Sequence, residues 1–125
     1  MLHLIKSVLA PAQLKPEYED VLLERIDLYE MCFTSSSVDK KSNYEYYETL
    51  GDSTVNKFIV WYFYRRFPQF RCPAGVKVIS RLKINYVSKR VFAQIAEKLG
   101  FWPFIKAAEN KKLASKESLL EDVFE

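Results

Sequence analysis

Apolar residues recur along the chain in stripes at helical spacing, divided by short polar or proline-marked breaks. Tyr18, Leu22, Ile26, Tyr29 and Phe33 return every three or four positions, which predicts one amphipathic helix over "EYEDVLLERIDLYEMCF". The polar "TSSSVDKKSN" then reads as a loop. A long helix is predicted from about Tyr44 to Phe67, stopped by Pro68. "CPAG" is a break in which Pro73 opens the next helix, with Val76, Ile79, Leu82 and Val87 on its apolar side. A further helix covers about Ser88 to Leu99, and Gly100 ends it. "FWPF" is an aromatic turn, "AENKKLASK" a polar connection, and "ESLLEDVFE" the start of a last helix. No segment alternates as a strand, so the expected fold class is all-α.

Composition narrows the class. A chain of 125 residues that is 49% hydrophobic and 15% aromatic makes one globular domain with a real core. The longest uninterrupted apolar run, Phe58 to Tyr64, is far short of the roughly 20 residues that cross a membrane. "MLHLIKSVLAPAQ" is mildly apolar but lacks the basic-then-apolar plan of a secretory signal. Cys32 and Cys72 are too few for a disulfide framework and read as reduced thiols of an intracellular protein, cytoplasmic or nuclear. His3 is the only histidine and reads as a surface residue, which argues against histidine catalysis and His/Cys zinc sites.

Charge changes the picture further. The net charge of +3 hides a separation. Glu17 to Glu30 holds six acids and one base, Arg25. Arg65 to Arg90 holds eight bases (Arg65, Arg66, Arg71, Lys77, Arg81, Lys83, Lys89 and Arg90) and no acid. A solvated face is the ordinary reading of a charge run. A window without acids gives up internal salt bridging, however, and a phosphate backbone is the anion that would compensate.

Two stripes of carboxylates carry the candidate chemistry. Glu45, Glu48 and Asp52 are spaced by three and four, and Asp122 and Glu125 by three, so each set lines one side of a helix. Acids so spaced repel, and facing stripes in a partly buried groove repel more. Hard divalent cations with oxygen ligands would turn that repulsion into binding. Exposed solubility residues are the ordinary alternative. Gly51 argues against it, because a glycine inside a helix costs about 1 kcal/mol relative to alanine and calls for a packing reason. Here it would let a second helix approach beside Glu48 and Asp52.

At these residues the sequence resembles the ribonuclease III family. "EYYETLGDSTV" is similar to the family signature Glu-x-x-Glu-(apolar)-Leu-Gly-Asp, matched by Glu45, Glu48, Leu50, Gly51 and Asp52. "SRLKINYVSKRVFAQIA" resembles the family's next helices, and "KESLLEDVFE" its second acidic motif, with Asp122 and Glu125 in the Asp-x-x-Glu positions. "LYEMCFTSSS" falls where the family has its first helix and turn. Four positions depart from the pattern. Ser35 and Ser36 stand where the family has His-Arg after its first helix. Tyr44 stands where Asn is usual before the first signature Glu, and Thr49 where a large apolar dimer-contact residue is usual.

The resemblance implies an all-α endonuclease domain over 17–125, preceded by a lead segment over 1–16. It implies that this domain is cut short at its C-terminal end and carries no appended double-stranded-RNA-binding domain. Glu48, Asp52, Asp122 and Glu125 would be metal ligands, and Glu45 an acidic position near the site that influences RNA engagement. Magnesium, or manganese in its place, would be the cofactor for phosphodiester hydrolysis in double-stranded RNA, leaving 5′-phosphates and 3′ overhangs. The basic candidates for RNA contact are Lys77, Arg81, Lys83, Lys89 and Arg90. A symmetric homodimer is implied around the signature helix, whose Val55, Phe58, Ile59 and Tyr62 exceed what one core face needs. A catalytically silent member of the family, acting as an RNA-binding or dimer-partner module, is the alternative. The clustered acids argue against it.

Overall fold

Eight α-helices follow one another in the computed structural model, which describes every residue from Met1 to Glu125. They are α1 (Leu2–Leu9), α2 (Pro16–Leu23), α3 (Ile26–Cys32), α4 (Glu45–Arg66), α5 (Pro73–Tyr86), α6 (Lys89–Lys98), α7 (Glu109–Ala114) and α8 (Lys116–Phe124). Short 3-10 turns lie at Ala10–Ala12, Pro68–Phe70 and Trp102–Phe104. The single β-type pairing is an isolated parallel bridge between Thr34 and Lys106. The all-α class expected from the apolar spacing is the class observed.

Two local expectations need correction. The stripe from Tyr18 to Phe33 runs over two helices, because Arg25 (φ −100°, ψ 45°) leaves helical geometry between α2 and α3. Its guanidinium turns to Asp27, at 3.3 Å. The polar connection after the aromatic turn contains α7. The lead segment holds α1 and the 3-10 turn at Ala10–Ala12, and α1 buries Leu4 and Ile5. Leu4 joins the main core, with Met1 and Val8 packed against it.

That core is built chiefly on α6 and α8, which pack on each other more extensively than any other pair of elements. Ala93 and Ala96 on α6 project nothing beyond a methyl group, so Leu119, Leu120 and Val123 of α8 can come close. Ala96 and Leu119 retain no exposed surface. The end of α6 is fixed by Gly100, whose φ of +77° disfavours residues with a Cβ. The Gly100 N–H donates to the Glu97 carbonyl at 3.0 Å and the Phe101 N–H to the Ala96 carbonyl at 3.1 Å. This Schellman pair satisfies carbonyls the helix would leave open. It also aims Phe101 at Phe33, where the rings meet edge to face at 5.0 Å.

α4 is the long element, 22 residues or about 33 Å of helix. Glu45 and Glu48 fall in its first turn and Arg65 and Arg66 in its last, both favourable to the helix dipole. Phe67, held out of helical geometry (φ −127°, ψ 80°) ahead of Pro68, ends it. Phe63 is its one buried residue, and α5 packs along it. Val76, expected on the apolar side of α5, is 61% exposed, while Ile79, Leu82 and Val87 are half-buried. No helix is long and apolar enough to cross a membrane.

Candidate active site

α4 and α8 meet at Gly51. The Glu125 backbone occupies the space a Cβ on residue 51 would need, so the glycine is what lets the end of α8 dock. Glu48 and Asp52 flank Gly51 on α4, Asp122 comes from the last turn of α8, and Glu125 is the residue that caps it. The two acid stripes are therefore brought to one contact between helices.

Electrostatics tie the acids together. Burial, and then the negative charges of Asp52, Glu121, Glu48 and Asp122, push the Glu125 carboxyl up from 4.5 to about 7. Glu48 is also raised, by burial first and then by Asp122, Glu121 and Glu45, while Lys111 acts the other way. Each glutamate thus feels carboxylates of the opposite helix. Asp52 is exposed, and one of its oxygens accepts from the Asn56 amide at 2.7 Å. Glu45 is exposed at the outer edge of the group, where its backbone N–H donates to Asn43 Oδ1 at 3.1 Å.

The donor set is all carboxylate, which suits a hard divalent cation such as magnesium and not a soft metal. As the side chains stand, no three of these groups converge on a common point. Mutual repulsion favours this spread, and exposed or half-buried side chains can turn inward on a cation. By chemistry and neighbourhood Glu48, Asp52, Asp122 and Glu125 are the residues that would hold it.

Several residues of the site were not foreseen from sequence. Tyr44, just ahead of α4, is only 3% exposed, and its hydroxyl donates to Asp122 Oδ2 at 2.8 Å. Burial, followed by that hydrogen bond, pushes the Tyr44 phenol well above its ordinary value. Lys111 on α7 donates to Ser35 Oγ at 3.2 Å and to the Tyr44 hydroxyl at 3.4 Å. Ser35 is fully buried although it belongs to the polar loop. The position of Tyr44, one residue before Glu45 and four before Glu48, was a usable signal for it. Nothing local marked Lys111, and Ser35 was marked only as a departure from the family pattern.

The basic residues divide. Lys77 and Arg81 are exposed one turn apart on α5, Lys83 is half-buried, and Arg90 is exposed on α6. Lys89 forms an ion pair with Glu121 at 2.5 Å, which raises its pKa and sets the first turn of α6 against the acidic side of α8. Arg71 donates to the Tyr64 carbonyl at 2.9 Å and stacks on the Tyr64 ring. Arg65 and Arg66 lie over Trp61 and Phe67. The acid-free window of the sequence is thus not free of partners in space.

Comparison with known proteins decides the family. The ribonuclease III domain pattern matches residues 45–125, which contain both acidic stripes and the helices between them. The chain belongs to the ribonuclease III family. It is 45% identical over 124 residues to "Putative ribonuclease 3" of invertebrate iridescent virus 6, covering 98% of this chain and 42% of that protein. It is 46% identical over 112 residues to "Putative ribonuclease 3" of frog virus 3, covering 89% of this chain and 30% of that protein. Ribonuclease 3 of Aquifex aeolicus is 36% identical over 98 residues, covering 78% of this chain and 41% of that protein. The chain therefore spans less than half the length of these ribonuclease III relatives. Among solved structures, the nuclease domain of ribonuclease III from Campylobacter jejuni superposes with a TM-score of 0.69 at 24% identity, over 80% of this chain and 69% of that one. That likeness establishes the ribonuclease III nuclease fold.

Proposed function

We propose that this chain is the catalytic domain of a metal-dependent endoribonuclease that hydrolyses phosphodiester bonds of double-stranded RNA. The observation that carries the reading is the contact at Gly51, where burial and then carboxylates of the opposite helix raise the Glu48 and Glu125 carboxyls. A surface selected for solubility gains nothing from such repulsion. A surface that binds magnesium converts it into affinity. Bound magnesium would supply an activated water and positive charge at the scissile phosphate. Glu48, Asp52, Asp122 and Glu125 would hold the metal, and Glu45 would border the path of the RNA. The products expected are 5′-phosphorylated ends with 3′ overhangs.

Exposed Lys77, Arg81 and Arg90, with Lys83 beside them, supply phosphate contacts. A-form RNA is read through its backbone and 2′-hydroxyls, so such contacts need no base specificity. Lys89 serves chiefly to hold Glu121. A symmetric homodimer formed through α4 follows from its uncovered aromatic side, where Phe58 is 53% and Trp61 50% exposed. The enzyme works inside the cell, where its two thiols stay reduced.

The deciding experiment incubates the protein with long double-stranded and single-stranded RNA of the same sequence, with Mg²⁺ and with a chelator. The expected result is cleavage of the duplex alone, abolished by the chelator. Equal cleavage of both RNAs, or cleavage that survives chelation, refutes the proposal.

A further inference from the structure

We infer that Tyr44, backed by Lys111, is a positioning residue that holds Asp122 in one orientation with a single carboxylate oxygen left free for a divalent cation. The inference rests on the reading of the acid cluster as a metal site and adds two residues outside the acidic motifs to it.

The direction of the hydrogen bonds is forced. An ammonium group has donors and no acceptor, so Lys111 must donate to both of its oxygen partners. The Tyr44 hydroxyl accepts from Lys111 and has one proton of its own. That proton goes to Asp122 Oδ2, at 2.8 Å. Asp122 therefore meets a fixed donor on one oxygen, and its other oxygen carries no hydrogen bond to the protein.

Tyr44 and Ser35 are held from behind. Tyr44 is a core residue, 3% exposed, and its backbone N–H donates to the Thr34 carbonyl at 3.0 Å. Ser35, fully buried, donates its backbone N–H to the Lys106 carbonyl at 2.8 Å. The Ser37 hydroxyl donates to Ser35 Oγ at 3.1 Å and accepts from the Ala108 N–H at 3.0 Å. The loop after α3, the start of α4, α7 and α8 thus meet in one polar network with no buried side-chain polar atom unsatisfied.

The indirect link matters to the chemistry. A lysine in direct contact with Asp122 would compete with a cation for the carboxylate. Here the ammonium reaches Asp122 only through the phenol and occupies none of the ligand oxygens. Outer partners of metal-binding carboxylates usually change affinity by about 10–100-fold when removed.

The test is titration calorimetry of the protein with Mg²⁺ alone, without RNA. Wild type, Tyr44→Phe, Lys111→Met and the double variant are compared, and thermal unfolding in chelator checks that each is folded. Should Tyr44→Phe not fold, Lys111→Met and Ser35→Ala carry the test. The expected result is a Mg²⁺ dissociation constant raised about tenfold or more by Tyr44→Phe, raised less by Lys111→Met, and no worse in the double variant than in Tyr44→Phe. A merely structural role would lower the unfolding temperature without that non-additive pattern in affinity. Wild-type affinity in Tyr44→Phe overturns the inference while leaving the metal site standing. Additive losses in the double variant overturn the role given to Lys111. Absence of saturable Mg²⁺ binding by the wild type overturns the metal site itself, and the inference with it.

Discussion

Leu119 on α8 has no exposed surface, whereas Phe58 on α4 shows 53% of its own to solvent. Both are large apolar residues on helices that carry site acids, and the contrast extends to the regions around them. α8 is locked against α6 by Ala93, Ala96, Leu119, Leu120 and Val123, all buried. α4 buries Phe63 alone along its length. The two acid pairs are therefore mounted differently. Asp122 and Glu125 rest on a helix fixed by the core. Glu48 and Asp52 rest on a helix whose ties to α8 include the Gly51 contact and the Tyr44–Asp122 hydrogen bond. The lesson is that the geometry of the site depends on how α4 docks, and that the uncovered side of α4 is free to serve association.

The largest expected effect breaks the α8 side. Leu119→Ala leaves a hole in a fully buried position and should cost about 2–5 kcal/mol. Phe58→Ala should stay within about 0.5 kcal/mol for the monomer while weakening self-association measured by sedimentation. Equal losses in thermal stability would erase the contrast between the two regions.

Next comes the joint between them. Gly51→Ala places a methyl group on the Glu125 backbone, so the end of α8 must move. Alanine gains helix propensity over glycine, and overpacking is nevertheless expected to win, at about 1–3 kcal/mol. An unfolding temperature at or above wild type would mean that α8 does not dock where the structure places it.

A smaller effect follows from protonation. The Glu125 carboxyl titrates near 7 in the folded protein against an ordinary 4.5. Between those values the native state holds more protons than the unfolded chain, so stability falls as pH rises through this window. The advantage is complete below 4.5 and gone above 7. Chemical denaturation of metal-free wild type against Glu125→Gln should show a steeper slope in the wild type, with the remainder in the variant coming from Glu48, which is also raised. Parallel profiles would remove Glu125 from the cluster.

The smallest effect separates the basic residues. Changing exposed Lys77 and Arg81 to Ala should reduce the salt dependence of RNA binding by about one unit of log–log slope for each phosphate no longer neutralised. Lys89→Ala should change it less, because Lys89 is already paired with Glu121. The reverse order would reassign the RNA-facing surface.

Legibility in the sequence followed how local each cause is. The end of α4 was readable within a residue because Pro68 stops it. The end of α6 was readable because Gly100 needs a positive φ. Gly51 was readable as a close-approach position, and the structure supplies its neighbour, the Glu125 backbone. The break at Arg25 was not legible, since the apolar spacing continues across it. The burial of Ser35 depends on partners from α7 that no local pattern announces. Lys89 lies in an acid-free window, yet finds Glu121 across the fold from a different helix. Contacts between distant segments are invisible to a window of sequence, and the polar half of this site is made of them.

The central claim is that α4 and α8 together hold a divalent cation. The direct measurement is thermal unfolding against Mg²⁺ concentration for wild type, Glu48→Gln and Asp122→Asn, each with a chelator control. The wild type should gain stability saturably, by about 2.7 kcal/mol at a hundred times the dissociation constant. Each variant, missing a ligand from one helix, should gain far less at the same concentrations. Equal Mg²⁺ stabilisation of all three proteins, or none in the wild type, would contradict the account.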